Sequence, residues 1–268
     1  MGFDKKPERK KRSRIPQKRS KVTQENSKEN LPLKNIRLNK YIAQAGVCSR
    51  READKLIESG RIKVNHKVVT EMGFQVKPGD KVYYGKKLLS REKLIYLLLN
   101  KPRDFITTTD DPQERKTVMQ LVSKACEERI YPVGRLDRNT TGVLLLTNDG
   151  ELSKKLTHPS HEVSKVYQIE LNKPMEDDHF EKIKEGIELE DGFVKVDDIA
   201  MLDPEGIALG VEIHSGKNRI VRRIFESFGY EVSKLDRVMF AGLTKKDLPR
   251  GKWRFLRDKE IVKLKYLN

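Results

Sequence analysis

Asp137 stands between Arg135 and Arg138 in a stretch bounded by Gly134 and Gly142, with Ile130, Tyr131 and Val133 before it and Val143 to Leu146 after it. Positive neighbours favour the charged form of a carboxylate. An ionised aspartate held in a loop serves as a nucleophile or a general base. The same residues can also bridge and cap a turn, and local chemistry by itself leaves that plainer reading ahead. Other polar groupings carry less. His158 and His161 flank Pro159-Ser160, but no third or fourth ligand has suitable spacing, and the proline spoils a one-face helical arrangement. Ser215-Gly216-Lys217 is not a phosphate loop, because Val211 stands where its first glycine belongs and Asn218 replaces the Ser or Thr. Cys48 and Cys126 lie far apart with no paired spacing, which argues against both a disulfide framework and a thiolate metal cluster.

The elements that must position Asp137 are legible around it. Val143 to Leu146 reads as a strand buried on both faces, and residues 94–102 as another, stopped by Lys101-Pro102. Lys217 to Phe228 has helical spacing through Ile220, Ile224 and Phe228, and Gly229 ends it. Nearer the N-terminus, Leu38, Tyr41, Ile42 and Ala45 recur at helical spacing before Gly46. Ser49 with Glu52 forms a capping box opening a second helix that stops at Gly60. Ile62, Val64 and Val68 around Asn65-His66 read as a hairpin, Lys77-Pro78-Gly79-Asp80 as a turn, and Val82-Tyr83 as a closing strand. Arg37, Lys40, Arg50, Arg51 and Lys55 make that small unit basic, with few acids between them.

The charge is unevenly placed. The chain of 268 residues carries 56 Lys and Arg against 40 Asp and Glu, a net +16. Residues 1–35 hold +8 and residues 36–85 hold +5, leaving +3 for everything that follows. A basic balance of this kind points to a polyanion, nucleic acid before an anionic membrane. Residues 1–35 are too polar to bury a core and read as a disordered basic arm. The longest apolar run, Ile95 to Leu99, falls far below the roughly 20 residues of a membrane span. No apolar segment marks a signal peptide, so a cytoplasmic, monomeric protein without a membrane partner is expected. No stretch carries the aromatic signature of an RNA-recognition motif.

Two stretches resemble known families. "RLNKYIAQAGVCSRREADKLIESGRIKVNHKVV" followed by "VKPGDKV" is similar to the alpha-L RNA-binding domain, which implies a module that grips structured RNA by phosphates and shape. "VGRLDRNTTGVLLLTNDG" resembles the signature of pseudouridine synthases, in the branch that carries an alpha-L domain and modifies bacterial ribosomal RNA. "LNKPRDFITTTDDP", "LTHPSHEVSKVYQIEL", "SGKNRIVRRIFESFGYEVSKLDRVMFAGL" and "LPRGKWRFL" follow the branch's remaining blocks in order.

The resemblance implies an α+β fold: the alpha-L domain at 36–85, then at 92–268 a catalytic domain built on a mostly antiparallel mixed sheet. It implies Asp137 as the catalytic aspartate, Tyr167 against the target uracil, Arg222 paired with Asp137, and Leu235 as an apolar pocket floor. Arg135, Lys217 and Arg219 would join the basic set of the small unit in binding RNA. The reaction needs no cofactor and no metal, and the partner is ribosomal RNA, the large subunit favoured, free or in an assembling particle. Two departures stand out: Ile220 where relatives carry a polar residue, and Arg103-Asp104 where they carry a glycine-containing turn. The rival from another class is a non-catalytic ribosome-binding or assembly factor. An enzyme acting on free nucleotides would not need the basic N-terminal segments.

Overall fold

The structure, a computed structural model, describes residues 35–267, so the expected basic arm, apart from Asn35, lies outside the described residues. β1 (Ile36–Arg37) leads into α1 (Leu38–Gln44), and α2 (Arg50–Glu58) follows. The capping box forms as read: Ser49 Oγ accepts from Glu52 N at 3.3 Å and Glu52 Oε2 accepts from Ser49 N at 2.7 Å. β2 (Ile62–Val64), β3 (Lys67–Val68), β5 (Val82–Tyr84) and β6 (Lys87–Leu88) make an antiparallel sheet in the order β3-β2-β5-β6, while β4 (Gln75–Val76) pairs with β1. Spacing by four puts Leu38 with Ile42 and Ala53 with Ile57 on single helix faces. These faces close over Ile62, Val64 and Val82 as one apolar cluster.

The rest of the described chain is organised by a nine-stranded sheet. Its first strands are β7 (Tyr96–Lys101), β8 (Tyr131–Pro132) and β9 (Thr141–Thr147), with α3 (Val118–Val122) in the connection. β7 and β9 are buried on both faces because successive side chains feed opposite layers. Leu98, Val143 and Leu145 pack with Leu152 and Leu156 of α4 (Gly150–Thr157) and Leu264 of α7 (Asp258–Lys265). Leu97, Leu99, Leu144 and Leu146 pack instead with Val118 and Val122 of α3.

The remaining elements are β10 (Lys165–Leu171), α5 (Asp177–Glu185), the hairpin β11 (Ile187–Leu189) and β12 (Gly192–Val194), β13 (Asp198–Met201), β14 (Ala208–Ile213), α6 (Ile220–Glu226), β15 (Val232–Phe240), β16 (Leu243–Thr244) and β17 (Trp253–Phe255). The sheet order is β13-β14-β10-β15-β9-β7-β17, with β16 on β15 and β8 on β9. Every pairing in it is antiparallel except β15 with β9, which run parallel through Asp236↔Thr141 and Arg237↔Gly142. The sheet is thus two antiparallel halves joined at a short parallel seam, the α+β, mostly antiparallel architecture expected.

Gly142 makes the seam possible. A Cβ there would lie 2.1 Å from the Arg237 carbonyl oxygen, and its φ of +108° lies where side chains are strained. The helix expected over 217–228 is shorter, Ile220–Glu226. Arg219 before it adopts a left-handed φ of 47°, which breaks the helical run. At the other end Tyr230 N returns to Phe225 O at 3.1 Å across Gly229, which closes the last turn. The two units touch where Lys40 Nζ meets Glu151 Oε1 at 2.6 Å and Glu92 N donates to Gln44 O at 2.9 Å. Among the described residues no helix is long and apolar enough to cross a membrane.

Candidate active site

The loop from Gly134 to Thr140 lies at the seam, and its backbone is tied down almost residue by residue. Thr107 Oγ1 donates to Leu136 O at 2.8 Å. Lys101, at the end of β7 and 0% exposed, donates through Nζ to Asp137 O at 2.9 Å, Arg138 O at 3.2 Å and Thr140 O at 2.7 Å. Asp104 N adds a bond to Arg138 O at 2.9 Å. Burial pushes the Lys101 ammonium down to about 8, opposed by the nearby charges of Asp137 and Asp104. Against this clamped backbone the Asp137 carboxylate itself makes no hydrogen bond or ion pair with any described residue. The turn-bridging reading of Asp137 therefore fails: Arg138 pairs with Asp104 at 3.3 Å, and Arg135 is exposed.

A cavity of about 430 Å³ opens beside the loop, within the roughly 300–1,000 Å³ typical of ligand pockets. Its floor is the sheet. β10 and β15 pair with Tyr167 opposite Arg237 and Ile169 opposite Leu235. Alternation then puts Lys165, Tyr167, Leu235 and Arg237 on the face that lines the cavity with Asp137. Tyr167 packs against the apolar clusters of both sheet halves, and Leu235 is buried at 6% exposure. Arg135, Lys217 and Arg219 line the same cavity.

Arg222 is placed differently from the expectation of a direct pair. It is 9% exposed and donates through Nη1 to Val232 O at 2.5 Å. It shares a second, adjoining cavity with Asp137, and the two interact through space without ion-pair contact. Burial lowers the Arg222 pKa first, Arg219 repels it, and Asp137 opposes both. Its neighbours are occupied elsewhere: Arg223 binds Asp191 through both guanidinium nitrogens, at 2.9 and 2.5 Å, and Arg219 pairs with Glu226 at 3.2 Å. Lys217 reaches Asp191 O at 2.7 Å.

In the N-terminal unit, Arg37, Arg50, Arg51 and Lys55 are exposed, whereas Lys40 is drawn into the contact with Glu151. His158 Nδ1 is engaged with Ser160 Oγ at 2.8 Å. Ile220 is buried in the apolar cluster beneath the cavity, which suits its departure from a polar residue. At the other departure, Asp104 holds φ at +68°, a conformation that aspartate tolerates better than most side chains. The turn is kept without a glycine.

Two site residues escaped the sequence reading. Lys101 was visible only as the charged end of an apolar run. Arg237 follows Leu235 by two, so a charge on the buried face of β15 was readable from alternation alone.

Residues 95–227 match the family model described as RNA pseudouridylate synthase, and residues 36–82 match the S4 domain. The chain is 41% identical to the Bacillus subtilis ribosomal large subunit pseudouridine synthase B, over 86% of this chain and 96% of that protein. It is 36% identical to the dual-specificity RNA pseudouridine synthase RluF of Escherichia coli, over 87% of this chain and 80% of that one. A crystal structure of a pseudouridylate synthase superposes with a TM-score of 0.62 at 31% identity, covering 85% of this chain and 99% of the other.

Proposed function

Because this chain belongs to the RNA pseudouridylate synthase family, we propose that it isomerises one uridine of large-subunit ribosomal RNA to pseudouridine, with Asp137 as the reacting carboxylate. In this reading residues 36–85 grip the RNA and residues 92–268 carry out the chemistry. The observation that carries it is the contrast at Asp137: a loop backbone held by Lys101 and Thr107, and a carboxylate without a partner among the described residues at the edge of a cavity. A residue kept for stability would spend its carboxylate on the arginines beside it.

The target base leaves its stack and enters the cavity, and stacking and hydrogen bonds there offset the cost of extrusion. Asp137 then attacks carbon 1′ of the ribose or removes a proton from the sugar, and the bond to nitrogen 1 breaks. The uracil turns and carbon 5 bonds to carbon 1′ as the bond between Asp137 and carbon 1′ breaks, or as the sugar proton taken by Asp137 returns; the proton on carbon 5 then leaves and nitrogen 1 gains one. In this reading Tyr167, which lines the cavity, lies against the base and receives the proton from carbon 5. Leu235 supplies an apolar floor, and Arg222 biases the carboxylate through its charge from the adjoining cavity. Lys217, Arg219 and Arg135 at the rim, with the exposed cations of α2, suit the RNA backbone.

Tritium release from transcripts labelled at carbon 5 of uridine tests the reading. Wild-type protein is expected to release tritium from large-subunit RNA, free or in a partly assembled particle, and not from small-subunit RNA, while Asp137→Ala releases none. Release by Asp137→Ala would remove the aspartate from the chemistry. Tight binding without release from any substrate would favour the non-catalytic assembly factor.

A further inference from the structure

The cations around the cavity are satisfied in an unusual currency. Lys101, Lys165 and Arg222 all donate to backbone carbonyls; Lys165 Nζ reaches Val163 O at 3.0 Å, His214 O at 2.5 Å and Ser215 O at 3.4 Å. Arg237 does so only in part. It is 3% exposed, its Nε donates to Val143 O at 2.8 Å, and its guanidinium lies 4.6 Å from the centre of the Phe240 ring. Its Nη2 is buried with no hydrogen-bond partner among the described residues. No described carboxylate forms an ion pair with Arg237 or with Lys165. The two cations lie close enough that Arg237 is the second cause, after burial, pushing the Lys165 ammonium down to about 8.

A buried, unmatched charge with a free donor is costly and persists where a ligand completes it. Here the ligand must bring an acceptor whose negative charge grows inside the cavity. Uridine is neutral when it binds. When the bond from nitrogen 1 to carbon 1′ breaks, its electron pair stays with the uracil and spreads onto the ring carbonyl oxygens. Whichever route Asp137 takes at the sugar, the detached base is an anion until carbon 5 bonds to carbon 1′. The proton of carbon 5 then departs, nitrogen 1 gains one, and the ring is neutral again.

We propose that Arg237, supported by the charge of Lys165, is a catalytic residue that donates a hydrogen bond to a carbonyl oxygen of the departing uracil and holds it as an anion. The register supports this placement, since Arg237 lies directly opposite Tyr167, the residue assigned to the base. A donor aimed at charge that develops only during reaction lowers the barrier without tightening substrate binding. The inference rests on the uridine-isomerising reading above.

The test uses the full chain and large-subunit transcripts made with uridine or with 5-fluorouridine, whose electron-withdrawing fluorine makes the base a better anion. Single-turnover loss of the starting nucleoside is read by chromatography of nuclease digests, since carbon 5 of the fluorinated base has no proton to lose and its C-glycoside stays saturated, and RNA affinity is measured in parallel. Arg237→Met is expected to slow uridine conversion about 100-fold or more, with affinity changed less than about threefold. The deficit should shrink at least about tenfold on 5-fluorouridine, and Arg237→Lys should recover part of the rate. Equal deficits on both transcripts would mark a merely structural role and overturn the proposal. So would an unchanged rate, or a loss of affinity large enough to account for the rate, which would assign Arg237 to a phosphate. If Arg237→Met fails to fold, Lys165→Met and Arg237→Lys carry the same comparison. Wild-type inactivity on every substrate, free transcripts and partly assembled particles alike, would overturn the parent reading, whereas an active wild type with equal deficits overturns this proposal alone.

Discussion

Replacing Gly142 with alanine places a methyl carbon 2.1 Å from the carbonyl oxygen of Arg237, 2.7 Å from its nitrogen and 2.8 Å from its carbonyl carbon. Ordinary contact begins near 3.4 Å, so β9 and β15 must part by about 1.3 Å at one of the two residue pairs that join them. The obstacle is backbone on a central strand, with no side chain to swing aside. Overpacking of this kind costs about 1–3 kcal/mol, and holding alanine at a φ of +108° adds about 1–3 kcal/mol. The expected loss is about 4 kcal/mol, a large part of the roughly 5–15 kcal/mol that holds a domain folded. Urea unfolding at unchanged slope measures it. Gly216→Ala is the control from the same cavity, because a Cβ there meets nothing within 4 Å; it should stay within about 0.5 kcal/mol of wild type. Gly142 also follows Asp137 by five residues, so turnover should fall further than stability explains. A Gly142→Ala protein within about 1 kcal/mol of wild type would refute the claim that this seam is closed by direct backbone contact.

Lys101→Met removes the ammonium that gathers the loop carbonyls and should lower turnover far more than RNA affinity, read as kcat against Kd. The same variant carries a pH test. The folded pKa of about 8 lies below the ordinary lysine value of 10.5. Between those values the unfolded chain binds more protons, so Lys101 makes stability rise with pH. The wild type should gain on Lys101→Met across that window, and a flat difference in unfolding free energy would contradict the burial of the charge. In the N-terminal unit, Arg51→Ala with Lys55→Ala should reduce the slope of log affinity against log salt by about 1–2, since each phosphate contact contributes roughly 0.7–0.9. An unchanged slope would take that face of α2 out of the RNA interface.

What was legible in the sequence was what short-range chemistry controls. The Ser49–Glu52 cap, the strands around residues 96–101 and 143–146, and the loop that holds Asp137 all rest on neighbours or on alternation. The start of α6 was misjudged because Ile220, Ile224 and Phe228 keep helical spacing while the backbone at Arg219 turns left-handed, which spacing does not report. Direct pairing of Arg222 with Asp137 was expected, but the guanidinium spends its hydrogen bond on Val232. Lys101 and Arg237 act on carbonyls distant in the chain, at Thr140 and Val143. A contact between a side chain and a remote backbone leaves no residue-type signature at its far end, so it emerges only with the fold.

Asp137 and the strand wall across the cavity come from the two halves of the sheet, which pair as strands at two residue pairs and share an apolar layer in which Leu98, Val143 and Leu145 of the first half pack with Phe240 and Leu243 of the second. Lys101 and Asp137 belong with β7 and β9, over the layer containing Leu97, Leu99 and Leu144. Lys165, Tyr167, Leu235 and Arg237 belong with β10 and β15; Leu235 lies in the layer containing Ile169, Val211 and Phe225, and Tyr167 packs against both layers. Residues that share a cavity or a packed layer couple on substitution. A chimaera of two related chains, joined between β9 and β10 and again after β16, would therefore have to carry matched residues on both sides of that shared layer. β17 returns to the first half through its pairing with β7, which is why the second junction is needed. Gly142 and Arg237 are the residues such a graft must keep matched, since their backbones touch across the join.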